Sequence, residues 1–370
     1  MIRTPQYTFA DILQAPAIAL SAKRIALMAI AVVSSWAVYA LFAYASFLIA
    51  GDNLDSLFRT WGVFPFAIPH GIASQMVLGL GVAGAIICLM TGFTGVAGFC
   101  MEESRGNRFM TFSQGIDFAL QRLKQIVLAE TAIASFVAFI LLLFVIAGVV
   151  GRIPFVGESV FALIVLFPGF VIALFLVFII VVGGIATILL PVVTAADRRN
   201  ESFMSILETF STLIRQPLRW LGATAVTALF AKIATWLFLT ASLSAIRLLV
   251  WGGSILGGDG VQEMYRSALA KLPVNSRGGE FLMTLWPGIR TGNLMSLIPR
   301  SSSDSDFGGY VMATVLCIIL AIAVSYGLCV IIAGQARVYI LIKYLKDGHR
   351  IGDEPSIFAD TASTSDEKKD

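Results

Sequence analysis

Lys232 is the residue whose position most invites chemistry. It lies 12 residues beyond Trp220 in the run 220–249, which only Lys232 and Arg247 interrupt with charge. If that run is a transmembrane helix, Lys232 sits near mid-bilayer. A lysine there costs roughly 2.5–3.5 kcal/mol on insertion scales, so it needs a partner, a water-filled cavity or a route to the surface. One reading is a substrate or ion site. The other is a snorkelling side chain, or one stacked on Trp236 a turn further along. Glu130 is the acid bordering an apolar run, closer to the inner end of its own span, so a stretched Lys232–Glu130 pair is conceivable.

Other chemistry has little material. The two histidines, His70 and His349, fall in connections on opposite sides of the expected membrane and cannot share a site. The four cysteines (Cys88, Cys100, Cys317 and Cys329) lie in or beside apolar runs, with no metal-ligand spacing. HExxH, P-loop and dinucleotide fingerprints are absent from the sequence. No cofactor, metal, nucleic-acid partner or catalytic residue is expected.

The elements that would position Lys232 are unusually apolar. The chain is 58% hydrophobic and 13% charged, against about 45–50% and about 25% for soluble domains. Between Glu158 and Asp197 run 38 residues without a charge. A hydrocarbon core of ~30 Å needs only about 20 residues of helix. Backbone in lipid must satisfy its own hydrogen bonds, so such runs are helices. Six spans are expected, at about 25–50, 71–101, 128–151, 168–196, 220–249 and 309–336. An even number puts both termini on one side. With the N-terminus inside, the inner segments hold three, four, four and six Lys and Arg, and each short outer connection holds one, Arg59 or Arg152. That asymmetry places both termini in the cytosol.

The fourth run is too long for one straight crossing. Pro168 and Gly169 divide it, leaving 160–167 as a short interfacial or re-entrant piece. With Gly183 and Gly184, this break resembles the discontinuous helices of transporters. Gly84, Cys88 and Gly92 form a small-residue stripe at i, i+4 and i+8, and Ala323 with Gly327 a shorter one. Both read as close helix contacts, within the bundle or between subunits.

The inner connections repeat. Residues 112–125 read FSQGIDFALQRLKQ and residues 203–216 read FMSILETFSTLIRQ, at a constant offset of 91, and FADILQ at 9–14 is a weaker copy. The unit is an amphipathic segment, a basic pair, a span out, an outer loop and a span back. Three units give the six spans, with amphipathic helices at about 7–20, 110–124 and 201–216. In the second copy Phe203, Ile206, Leu207, Phe210, Leu213 and Ile214 share one helical face. Such a helix either lies in the interface with that face in acyl chains, or packs under the bundle as a plain connector. In the first case Lys23, Arg24, Arg122, Lys124, Arg198, Arg199, Arg215 and Arg219 sit at anionic headgroups.

The stretch 190–233, which contains SILETFSTLIRQPLRWLG, and more faintly 92–139, resembles the helical membrane-anchor domain of bacterial glycerophosphodiester phosphodiesterases and related uncharacterised multi-pass proteins. The resemblance implies an all-α fold and a bacterial inner membrane. It implies no phosphodiesterase activity, because no such catalytic domain is present in these residues. The outer loop 252–305 opens with GGSILGGDG, then has helix-like 261–272, a second apolar piece at 281–286 and SSSDSD at 301–306. Residues 353–370 read as a disordered tail.

The sequence therefore predicts an all-α integral membrane protein of three helical hairpins. Its leading functional reading is a non-enzymatic module that contacts anionic phospholipid, partner membrane proteins or its own copies. The alternative is a small-solute transporter or channel using Lys232 and the broken fourth span.

Overall fold

The computed structural model describes residues 5–150, 166–198, 201–272 and 307–357. Among these, eleven α-helices and no strands occur. A 3-10 turn (Phe9–Gln14) leads into α1 (Ala15–Ala19). Then follow α2 (Ala22–Ala50), α3 (Leu54–Trp61), α4 (Ile72–Ser104), α5 (Phe112–Gln121) and α6 (Leu123–Val150). The remaining helices are α7 (Leu166–Ala196), α8 (Ser202–Arg215), α9 (Pro217–Gly257), α10 (Asp259–Ala270) and α11 (Phe307–Asp347). Six of them (α2, α4, α6, α7, α9 and α11) are long and apolar enough to cross a membrane. They pair as α2 with α4, α6 with α7, and α9 with α11.

Small residues set the closeness of the first hairpin. Side chains at Gly81, Gly84, Gly92 and Gly95 would collide with Phe42, Val38, Ala31 and Leu27. The Gly84–Cys88–Gly92 stripe therefore lies along α2. Lipid offers no hydrophobic drive to helix pairing, so this close van der Waals fit does the holding. Ala323 and Gly327 are likewise buried within the chain, Ala323 against Leu239.

The hairpins are joined at one end only. From Ile332 to Ile342 every residue of α11 is buried, enclosed by α1, α2, α4, α7, α8 and α9. In α4 and α7 the buried residues likewise crowd at that end, hereafter the inner end, at 90–104 and 186–196, where residues 9–19 and 337–357 also lie. Among the described residues, the buried clusters at the other end, Leu239 with Ala323 and Ile246, Val250, Ala313 and Leu316 with Ala268 and Leu269, join partners within the third hairpin.

Several segments differ from expectation. α9 and α11 have 41 residues each, about 61 Å of helix and twice the hydrocarbon thickness. Their first or last turns reach past the inner ends of the other spans. α9 also runs on through GGSILG, turns at Gly258 with φ 64°, and hands over to α10. Ser267, Ala268 and Leu269 of α10 are buried, the latter two packing among Ile246, Val250, Ala313 and Leu316. The pieces at 281–286 and 301–306 lie outside the described residues, as do 160–165. α7 is continuous from Leu166, with Pro168 in its first turn, where a missing amide donor costs nothing. It continues unbroken through Gly183, Gly184 and Pro191.

The connection 51–70 is not a plain outer loop. After α3, residues 62–66 lie back along α2. There Trp36 Nε1 donates to the Val63 carbonyl at 3.0 Å, Tyr39 to Pro65 at 2.7 Å, and Tyr44 to Gly62. Three aromatic donors thus satisfy carbonyls that no helix or strand pairs.

Candidate functional site

The structure does not bring Lys232 and Glu130 together. Lys232 and Trp236 share an exposed face of α9, and Lys232 makes no ion pair among the described residues. Its height follows from its neighbours. Thr227 meets Gly334 and Phe238 meets Tyr326, so Lys232 stands opposite Cys329. The Cys329 thiol donates to the carbonyl of Arg24 in the first turn of α2 (3.4 Å). Lys232 is therefore level with the inner end of α2. Counting from Trp220 placed it too deep, because the first turns of α9 lie below the other spans. Glu130, on α6, lies near Thr187 of α7, whose hydroxyl donates to the Gly183 carbonyl at 3.0 Å, and one Glu130 carboxylate oxygen is buried without a partner among the described residues.

The charges that do converge form a collar at the inner end of the bundle. Arg24 pairs with Glu103 and also donates to the Ile18 carbonyl. Arg105 pairs with Glu102 at 3.2 Å and Glu354 at 2.6 Å, and donates to the Ala196 carbonyl at 3.1 Å. Glu102 in turn accepts from Asn107, Ser356 and the Ile357 amide. Arg122 donates to Gln125, whose amide reaches Asp197 (3.2 Å) and Ser205 (2.6 Å). These contacts tie the ends of α2, α4, α6, α7 and α8 to one another. Buried arginines persist when they are paired and hydrogen-bonded.

Two corrections follow. Arg24 and Arg122, expected at headgroups, are buried at 7% and 5% exposure. And residues 353–357, expected to begin a disordered tail, strap across the collar. In the strap Glu354 also meets His349 Nε2 at 2.6 Å. Burial alone would raise the Glu354 carboxyl. The hydrogen bonds and charges of His349 and Arg105 outweigh burial and hold it below the ordinary carboxylate range.

The remaining cations of the predicted headgroup set are exposed: Lys23, Lys124, Arg198, Arg215 and Arg219. Arg199 lies outside the described residues. Two of these flank α8, whose orientation is the inverse of a soluble surface helix. Phe203, Met204, Leu207 and Ile214 are exposed, and Leu218 and Leu221 of α9 extend the patch. Ser205, Thr209 and Thr212 are buried instead. Polar tethers fix this pose: Gln125 to Ser205, and Lys346 to Glu208 (3.1 Å) and Ser211 (3.3 Å). The helix starts level with the ends of α6 and α7 and descends beside the last turns of α11.

Sequence reasoning did not single out the collar acids Glu102, Glu103 and Glu354. A trace was present: Glu102, Glu103 and Arg105 follow directly on an apolar run, where charges end a span. No family model, curated protein or solved structure matches this chain.

Proposed function

We propose that this chain is a non-enzymatic multi-pass module of a bacterial inner membrane, with both termini in the cytosol, whose inner face binds anionic lipid through α8. The observation that carries the reading is that α8 leaves Phe203, Met204, Leu207 and Ile214 exposed while Ser205, Thr209 and Thr212 face inward beside Leu213. Water is a poor solvent for Phe203, Leu207 and Ile214, whereas the acyl boundary of a leaflet suits them. Arg215 and Arg219 sit at the adjoining end of the helix, where phosphates of that leaflet would lie. The likeness of 190–233 to a membrane-anchor domain supports an anchoring role for the same stretch. The solute-pathway reading has less support, because α7 is unbroken over its described length and Lys232 is exposed.

The test is native mass spectrometry of the full-length protein, wild type and R215Q/R219Q, from mixed anionic and zwitterionic lipid. Each basic residue near an anionic surface is worth about 1 kcal/mol. The double variant should therefore lose roughly tenfold or more of its preference for anionic lipid. An unchanged preference would remove α8 as the determinant.

A further inference from the structure

The inner half of the bundle is closed and the outer half is not, and two helix stripes show where the opening begins. On α11, residues 311, 315, 318, 325, 329, 332 and 336 fall on one face. From Ser325 inward this stripe is buried: Ser325, Cys329 and Ile332 are at 0% exposure and Ala336 at 1%. Farther out the same stripe opens, with Ile318 at 55% and Val315 and Val311 at 49% each. α4 behaves identically. Cys100 and Phe93 are buried at 5% and 6%, while Ile86 and Val82, on the same face, are 41% exposed. The stripes meet where both Cys100 and Cys329 neighbour Arg24. Ile86 and Val315 each lie 14 residues outward of those cysteines, and Val82 and Val311 each lie 18. Facing residues therefore match in height, and the helices diverge between them.

We propose that this wedge is a binding site for the acyl chains of an outer-leaflet phospholipid. Its walls are aliphatic. Its exposed walls begin about 16 Å (Ile318) to about 21 Å (Ile86) above the cysteines and reach about 27 Å at Val82 and Val311, so the wedge occupies only the outer part of the bilayer. A partner helix crossing the whole bilayer is barred, because the inner half of the same seam is filled by core side chains and sealed by the charged collar. What enters from outside and stops midway is a lipid tail.

The test uses full-length protein carrying Ile86→Trp or Ile318→Trp, which fill the wedge. Purified in mild detergent and analysed by native mass spectrometry, wild type should retain one or two phospholipids through extensive washing. Each variant should retain at least fivefold less, with thermal stability unchanged or improved. Should a variant fail to fold, wild type is photolabelled with a phospholipid bearing a diazirine on its acyl chain. After delipidation to a few lipids per chain, labelling should persist at 82–86 and 311–318 and vanish from the lipid-facing Leu174 and Phe175 of α7. Absence of retained lipid in wild type, equal retention in the tryptophan variants, or uniform loss of labelling would each overturn the proposal.

Discussion

α5 and α8 share a periodic pattern at an offset of 91 residues and meet the bundle with different chemistry. At the offset of 91, Phe118 corresponds to Thr209 and Gly115 to Ile206, and both Phe118 and Thr209 face inward. In α5 the inward face is apolar, and it interlocks with α4 in both directions. Gly98 makes room for the Phe118 ring and Gly115 for that of Phe99. In α8 neither the ring at 209 nor the glycine at 206 is present, so hydroxyls and an ion pair share the inward face with Leu213 and the half-buried Phe210, and Phe203, Leu207 and Ile214 are left outside. The same periodicity thus yields a packed connector in one segment and, in the other, a helix whose Phe203, Leu207 and Ile214 stay exposed. Complementary glycines on the neighbouring span decide which.

The largest effect should come from breaking the α5 interlock. Phe118→Ala empties a buried site and should cost about 3 kcal/mol, read as unfolding in a detergent titration. Leu207→Ala, on the exposed side of α8, should cost almost nothing in the same assay, and a comparable cost would erase the contrast. Next comes Gly115→Leu, which forces a side chain into Phe99. Overpacking typically costs 1–3 kcal/mol, so a loss of about 2 kcal/mol is expected, whereas Ile206→Leu on α8 should be neutral.

The strap sharpens the comparison from another side, because Glu354 fastens it to Arg105 at the end of α4 and not to α8. Its folded carboxyl is held below the ordinary value of 4.5. The contribution is therefore fully present above that value and is lost as pH falls through the lower, folded one. Amide protection of residues 351–357 should hold from neutral pH to near 4.5 and fall below it. In Glu354→Gln protection should be weaker throughout and flat across that window. The smallest effect is expected from Lys124→Gln, since Lys124 is exposed and lies beyond α5. Preference for anionic lipid should change by less than that of the α8 arginine variant.

The sequence made the six crossings legible because uncharged runs of that length have one solution in lipid. The amphipathic segments were legible as helices and faces. Their surroundings were not, since periodicity is blind to whether lipid or protein meets the apolar side. Twelve residues from Trp220 put Lys232 near mid-bilayer only if Trp220 marks the membrane edge, and the pairing of Thr227 with Gly334 shows how far α9 extends below its neighbours. The Arg105–Glu354 contact joins residues 249 apart, a distance over which no local pattern speaks.

Paired spin labels at 116 and 207 test the central claim most directly. These are aligned positions on α5 and α8, and the full-length protein would carry replaced native cysteines and be reconstituted in lipid nanodiscs. Power saturation with oxygen, which concentrates in hydrocarbon, and with a water-soluble nickel chelate separates lipid, water and protein surroundings. The account predicts that 207 is relaxed strongly by oxygen and weakly by nickel, while 116 is shielded from both. Strong nickel relaxation at 207, or equal shielding at both positions, would contradict it.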